Sequence, residues 1–423
     1  MRVCVYGSTL TAWVTAACLA KVGNEVVLHE GQDTYNKELT DIPVIRDELG
    51  LETEIFQQIN EGRFERDNNA EVCEAAIHWV ALEANDQARV EHLIDVIART
   101  EKSTILVVNQ CNFEVGATAK LKHRLAENGC DAMVVYIPDN LEQGKALQLF
   151  LRPKRIILGI DNDKALSRAK ALLRPFSQQL EQLQIMGTKE AEFTKFATTG
   201  MLAIRLGYIN ELANLADKFD VDIDVIKDGM GADHRIGNHY LSPGCGFGGQ
   251  NFQTYLSMLS DIFDNKGSQS ILKTVIEENE IQKEILFRKC WEHYKGDLTG
   301  KRVAIWGASF KPGTASIENA PSVKVIEALL SQGVQVNVHD PEGLHNIRSK
   351  YEKNQHLKCY GNMYDAIINC DALILVTEWP QYMSPDYNKL LGTMKTPLII
   401  DGRNAFDKQL MIEFGFTYIG IGR

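Results

Sequence analysis

An α/β fold is predicted: two Rossmann-like, doubly wound parallel sheets joined by a long central helix within a helical middle domain. Three observations carry it. The chain opens as strand, turn, helix and strand, in RVCVYG, STLTAWVTAACLAKVG and NEVVLHE. The same order recurs near the other end, in KRVAIWGAS, APSVKVIEALLSQG and VQVNVHD. Between them EFTKFATTGMLAIRLGYINELANLADKF carries apolar residues at spacings of three and four, the signature of a helix with a buried face.

In each α/β unit the first strand ends at a glycine, Gly7 or Gly307, and the second ends in histidine plus acid, His29–Glu30 or His339–Asp340. This echo is expected of two parallel β-α-β units. The apolar runs STILVVNQC, DAMVVYIP and KRIILGI continue the first sheet, and DALILVTEW and PLIIDGR continue the last. The predicted domains are therefore 1–188, a dinucleotide-type Rossmann domain; 189–296, a helical dimerisation domain; and 297–423, a second Rossmann-like domain.

Composition narrows the function classes. Over 423 residues, 44% hydrophobic and 24% charged residues describe packed globular domains. A formal net charge of -11 disfavours nucleic-acid partners, which need a basic surface. The start shows no signal-peptide pattern and no apolar run suits a membrane span, so a cytoplasmic protein is expected. Nine cysteines stand singly without CxxC spacing, which predicts reduced thiols and no metal.

After the first strand a dinucleotide loop would read G-x-G-x-x-G, with an acid about twenty residues on. Here Gly7 supplies the tight turn, Ala12 the close helix packing and Glu30 the acceptor for ribose hydroxyls. Thr9 replaces the middle glycine, and a β-branched side chain there is expected to intrude on the pyrophosphate. NAD binding is thus left open by this loop.

Read together, GADHRIG, LSPGCGFGGQNF, FKPGT, DALILVTEW, DGRNAFD and the final YIGIGR, with the central helix, occur in the order of the UDP-glucose/GDP-mannose dehydrogenase family. The chain resembles that family from end to end. The resemblance implies NAD on the first domain, a UDP- or GDP-linked sugar on the last, and pairing into a homodimer. It also implies two oxidations of the sugar's primary alcohol, with a cysteine thiolate capturing the intermediate aldehyde before water releases a carboxylate.

The family's loop reads approximately GFGGSCFPKD. In this chain Asn251 stands at the nucleophile position and Tyr255 at the acid position. A carboxamide forms no acyl adduct, and a phenol with a pKa of about 10 is a poor base at neutral pH. Lys195 and Asp139 remain from the catalytic set, with Thr199 and Gln143 in place of an asparagine and a glutamate. On the cofactor side Leu82 and Asn112 replace threonines, and Glu318 stands where an arginine should face the NAD phosphates.

The sugar-binding positions are better kept. Lys311 and Phe310 sit in FKP, Arg235 in RIG, Arg403 in DGRN, and Phe252 beside the lost thiol. Gly248 and Gly249 would let backbone amides approach the ligand. Structural roles compete at each position: a turn lysine, ion-paired arginines, and glycines kept for positive φ. Cys245 and Cys111 are replacement nucleophiles only if they are not simply buried thiols.

Two functions follow, besides that of a ligand-free scaffold. The leading expectation is a catalytically silent nucleotide-sugar binder that acts as a sensor or as the partner of an active paralogue. The alternative is an NAD-dependent nucleotide-sugar 6-dehydrogenase working by a thiol-free route or a single two-electron step.

Overall fold

The computed structural model describes residues 1–423 apart from 68–71, 84–85, 102, 178–181 and 266–269. The chain divides into two compact units, Met1–Ala197 and Thr198–Arg423. The first holds eight strands: β1 (Arg2–Tyr6), β2 (Glu25–His29), β3 (Phe64–Arg66), β4 (Ile77–Val80), β5 (Ile105–Asn109), β6 (Ala132–Tyr136), β7 (Ile156–Gly159) and β8 (Leu183–Met186). They lie in the order β3-β2-β1-β4-β5-β6-β7-β8. The order reverses between β1 and β4, the switch point outside which open α/β sheets bind ligands.

Both faces of the sheet are covered, which is why its strands read as unbroken apolar runs. Val3 and Val5 of β1 pack on one side with the helix Leu10–Lys21, while Cys4 and Tyr6 pack on the other. One pairing departs from the expected parallel sheet: β6 meets β7 antiparallel at Tyr136 and Gly159. Residues 137–155 carry a single six-residue helix, Ala146–Leu151, instead of a full crossover helix, and the chain returns antiparallel.

In the second unit β9 (Arg302–Trp306), β10 (Gln335–His339), β11 (Leu357–Cys359), β12 (Ala372–Leu375), β13 (Leu398–Asp401) and β14 (Thr417–Ile419) follow. Their order is β11-β10-β9-β12-β13-β14, with every pair parallel. Alternation repeats here: Val303 and Ile305 face one core, Ala304 and Trp306 the other.

The long helix Thr188–Phe219 spans 32 residues. Within the second unit its glycines admit neighbouring helices: Gly200 lies against Leu259 and Leu272, and Gly207 against Val275. Among the described residues no helix is long and apolar enough to cross a membrane.

Candidate functional site

The first loop is built around two polar anchors. Gly7 has φ +134°, and a Cβ there would collide with the carbonyl of Ala81, so only glycine fits. Thr9 caps the helix Leu10–Lys21: its hydroxyl accepts from Ala12 N at 3.1 Å and donates to Ala81 O at 2.9 Å. The hydroxyl therefore has a structural role that the sequence reading did not assign to it. The hydroxyl of Thr9 is turned into the protein as an N-cap, and it binds the loop to the end of β4.

At the end of β2, Glu30 is buried and ion-paired with Arg66 through Oε1. Burial raises its pKa, opposed by the Arg66 hydrogen bond and charge. Its Oε2 is buried with no hydrogen-bond partner among the described residues. An unfilled acceptor at this position fits a ribose hydroxyl, so Gly7, the start of the helix after Thr9, and Glu30 together suit NAD. Its counterpart in the second unit does not. Asp340 Oδ2 accepts from Ala308 N, Ser309 N and Trp379 Nε1 at 2.6, 2.9 and 3.1 Å. Its Oδ1 accepts from Gly343 N, Ser309 Oγ and Glu342 N at 2.6, 3.0 and 3.0 Å. That carboxylate is consumed by its own loops.

Also in the first unit, the amino group of Lys195 donates to the backbone carbonyl of Asp139 and lies 3.4 Å from Asn140 Oδ1. Burial lowers the Lys195 pKa, and the Asp139 charge opposes this. Asp139 itself is occupied: Oδ2 accepts from Thr11 Oγ1 at 2.7 Å and Oδ1 from Leu141 N at 3.0 Å. Through Oδ2 the carboxylate ties the 139–141 loop to the first helix, and through Oδ1 it closes the turn within that loop. Glu48 fastens the same loop from below, accepting from Gly144 N and Ala146 N. Neither Thr11 nor Glu48 stands out in the sequence.

In the second unit the glycine-rich loop leads into the helix Gln250–Asn265, with Asn251 exposed in its first turn and Tyr255 half-buried one turn on. Most of the loop's amides already have partners. Gly244 N donates to Asn210 Oδ1, Cys245 N to Gly402 O, Phe247 N to Asn279 Oδ1 and Gly249 N to Glu318 O, at 2.8–3.1 Å. Among the described residues only Gly246 and Gly248 in this loop lack such a bond. Gly249 has φ +89° and packs on the Phe310 ring, and a side chain on Gly248 would meet Asn319 O and Phe310. The glycines are therefore required by packing, and the expectation of an amide-lined ligand cradle is reduced to two amides.

The side chains assigned to the sugar fall into three settings. Phe252 meets Phe247 edge-on with centroids 5.1 Å apart, and Lys311 Nζ lies 5.7 Å from the Phe310 ring, both flanking the loop. Arg403 donates from Nε to Val376 O at 2.8 Å and pairs with Glu378 at 3.1 Å, while its terminal amino groups lie against Gly244. Arg235 is exposed and clamped bidentately by Asp233. Among the described residues its side chain pairs with Asp233 and not with the loop. Glu318 lines a small pocket of about 240 Å³ that also holds Lys283, Lys324 and Lys350. Glu280 lies in the same pocket and pairs with Lys283 at 2.5 Å and Lys324 at 3.5 Å, while Lys350 pairs with Glu327 at 3.7 Å.

The cysteines need one correction: Cys4 and Cys73, 69 residues apart, form a disulfide, so the chain does not carry nine reduced thiols. A His29 nitrogen lies with both sulfurs within 4.8 Å, a trio with the donor types of a metal site, although the bonded sulfurs offer no thiolate. Cys245 is buried and its pKa is raised by that burial; Cys111 is pushed up to about 12 for the same reason. Neither supplies a nucleophilic thiolate.

Three family models cover most of the chain. The UDP-glucose/GDP-mannose dehydrogenase NAD-binding domain matches 1–177, the central domain 189–281 and the UDP-binding domain 304–408. A UDP-glucose 6-dehydrogenase of Pseudomonas aeruginosa is 34% identical, covering 100% of this chain and 98% of its own. One from Rhizobium meliloti is 29% identical with full coverage of both. Among solved structures, a UDP-glucose dehydrogenase from Pyrobaculum islandicum superimposes with a TM-score of 0.86 at 26% identity, covering 100% of this chain and 97% of that one.

Proposed function

The chain belongs to the UDP-glucose/GDP-mannose dehydrogenase family, and on that premise we propose that it is an NAD-dependent dehydrogenase of a UDP-linked sugar whose oxidation stops at the aldehyde. The observation that carries this reading is Lys195. Its side chain is half-buried, its amino group is fixed on the Asp139 carbonyl, and desolvation lowers its pKa; we assign to it the proton of the sugar's primary alcohol. NAD, when bound, supplies the hydride acceptor. Glu30 and the helix after Thr9 would hold it.

The stop at the aldehyde follows from Asn251. No sulfur stands there to add to the carbonyl carbon, and the thiols of Cys245 and Cys111 are buried and protonated. Homodimerisation belongs to the same reading. Met201, Tyr208 and Leu215 stand exposed at seven-residue intervals on the long helix, with Phe219 beyond them, as an uncovered apolar stripe.

A second reading, binding without turnover, draws on the Asp139 carboxylate, which holds Thr11 and Leu141 in place; such a protein would regulate an active partner. Incubation with NAD and UDP-glucose, with NADH read by absorbance and aldehyde trapped as a hydrazone, separates the two. One NADH and one hydrazone per sugar oxidised is the expected result. Binding of UDP-glucose without NADH would favour the second reading, and two NADH per sugar would overturn the stop at the aldehyde.

A further inference from the structure

Arg66, at the end of β3, is held more firmly than a surface arginine needs to be. Its Nη1 donates to Lys37 O at 3.1 Å, and Nη2 donates to Thr34 O and Tyr35 O at 3.1 and 3.0 Å. The guanidinium also lies over two rings, 5.6 Å from the Trp13 centroid and 5.4 Å from that of Tyr35. Its Nε donates to Glu30 Oε1, so these bonds use four of its five N–H groups. One carboxylate oxygen is thereby fixed and the other, Oε2, is left buried and unpartnered among the described residues.

We propose that Arg66 is a positioning residue for dinucleotide selection: it presents Glu30 Oε2 to the adenosine ribose hydroxyls of NAD, and Glu30 masks the guanidinium from the 2′-phosphate of NADP. The proposal rests on the NAD reading above. The physical argument has two parts. A buried acceptor rotating freely would find its ligand in many geometries, whereas a carboxylate pinned at one oxygen by a doubly stacked guanidinium has its second oxygen set in advance. The carboxylate charge also repels a second anion, while the arginine behind it is the type of cation that binds phosphate. Selectivity for NAD is then a property of Glu30, and a latent affinity for NADP is a property of Arg66.

Fluorescence titration of the full chain with NADH and NADPH tests both parts without reference to turnover. Wild type is expected to bind NADH in preference to NADPH. Glu30→Gln removes the repelling charge and should shift the NADPH-to-NADH affinity ratio by at least about tenfold, the effect of one charged hydrogen bond. The double variant Glu30→Gln with Arg66→Leu should lose that gain, because the cation is gone. Arg66→Leu alone should weaken NADH about tenfold without helping NADPH. Arg66→Lys keeps the charge but loses the fork, and should fall between the two; it serves if the leucine variant fails to fold.

Each contrary result is distinct. If Arg66→Leu and Arg66→Lys bind NADH as wild type does, the positioning role is refuted while the NAD reading stands. If the double variant gains NADPH as strongly as Glu30→Gln, Arg66 is not the latent phosphate contact. If wild type binds neither dinucleotide, the NAD reading fails and this proposal falls with it.

Discussion

Asp340→Asn measures how differently the two units use the acid at the end of their second strand. Six donors converge on Asp340, three at each oxygen. An asparagine keeps one acceptor and turns an amino group on the other three donors. Of those only the Ser309 hydroxyl can rotate to accept, so two or three buried N–H groups lose their partner whichever way the amide is set. At about 1–3 kcal/mol per orphaned donor, the loss should reach about 2–9 kcal/mol, a large share of the roughly 5–15 kcal/mol that stabilises a domain. Glu30→Gln is the internal control: its carbonyl can still accept from Arg66 while the amino group takes the unfilled side. It loses the charge of one ion pair and leaves one amino group without a partner, so its cost should stay at about 1–3 kcal/mol, below that of Asp340→Asn. Calorimetric scans of both variants, with the transitions of the two units fitted separately because one two-state curve does not describe two units, decide the matter. A loss under about 1 kcal/mol for Asp340→Asn, or equal losses for both, would refute the claim that one acid is scaffold and the other is available to a ligand.

Three further outcomes are expected. Asn251→Cys places a thiol in the first turn of a helix, where the dipole favours thiolate; with UDP-glucose it should raise NADH yield above one per sugar, and an unchanged yield would show that Tyr255 or Asp139 also blocks the second step. Alkylation under denaturing conditions without reductant should label seven cysteines, and all nine after reduction, as read by intact mass. Lys195→Met should abolish turnover yet raise the melting temperature at neutral pH. The folded-state pKa of Lys195 lies below its unfolded value, so the folded chain binds fewer protons in that interval and wild type gains stability as pH rises towards about 10; the advantage of the methionine variant should shrink over the same range.

The α/β architecture was legible because both sheet faces are buried, which turns strands such as ILVVN and ALIL into unbroken apolar runs, and because the strand-glycine-helix pattern occurs twice. The antiparallel return at β7 was not, since nothing in KRIILGI encodes strand direction. Thr9 shows the commoner failure. Its residue type suggested bulk at the pyrophosphate, whereas a threonine just before an apolar helix is also an N-cap, and the cap is what forms. The partners of Asp139 and Cys4 were not legible for one reason: Thr11 and Cys73 lie 128 and 69 residues away. Arg66 carried no signal, because it sits at the end of a three-residue strand and acts through Glu30, 36 residues before it.

These contacts bear on how a degenerate-looking loop is to be judged. Gly248 and Gly249 fit only because Phe310 and Asn319 crowd them, and Asn279, Asn210 and Glu318 tie the backbone around them. The loop would therefore hold its shape whether or not a sugar ever entered it, and its glycines are no argument for ligand binding. Asn251 is exposed, so exchange of a thiol for a carboxamide there costs the fold almost nothing. Function is better read from groups whose placement the fold does not need. Glu30 Oε2 is one, a buried acceptor left unfilled. The amino group of Lys195 is the other, held at a lowered pKa on a backbone carbonyl when a methionine would pack there with less desolvation cost. On the proposed reading both serve the first hydride transfer, and neither is assigned to a thiol-dependent second.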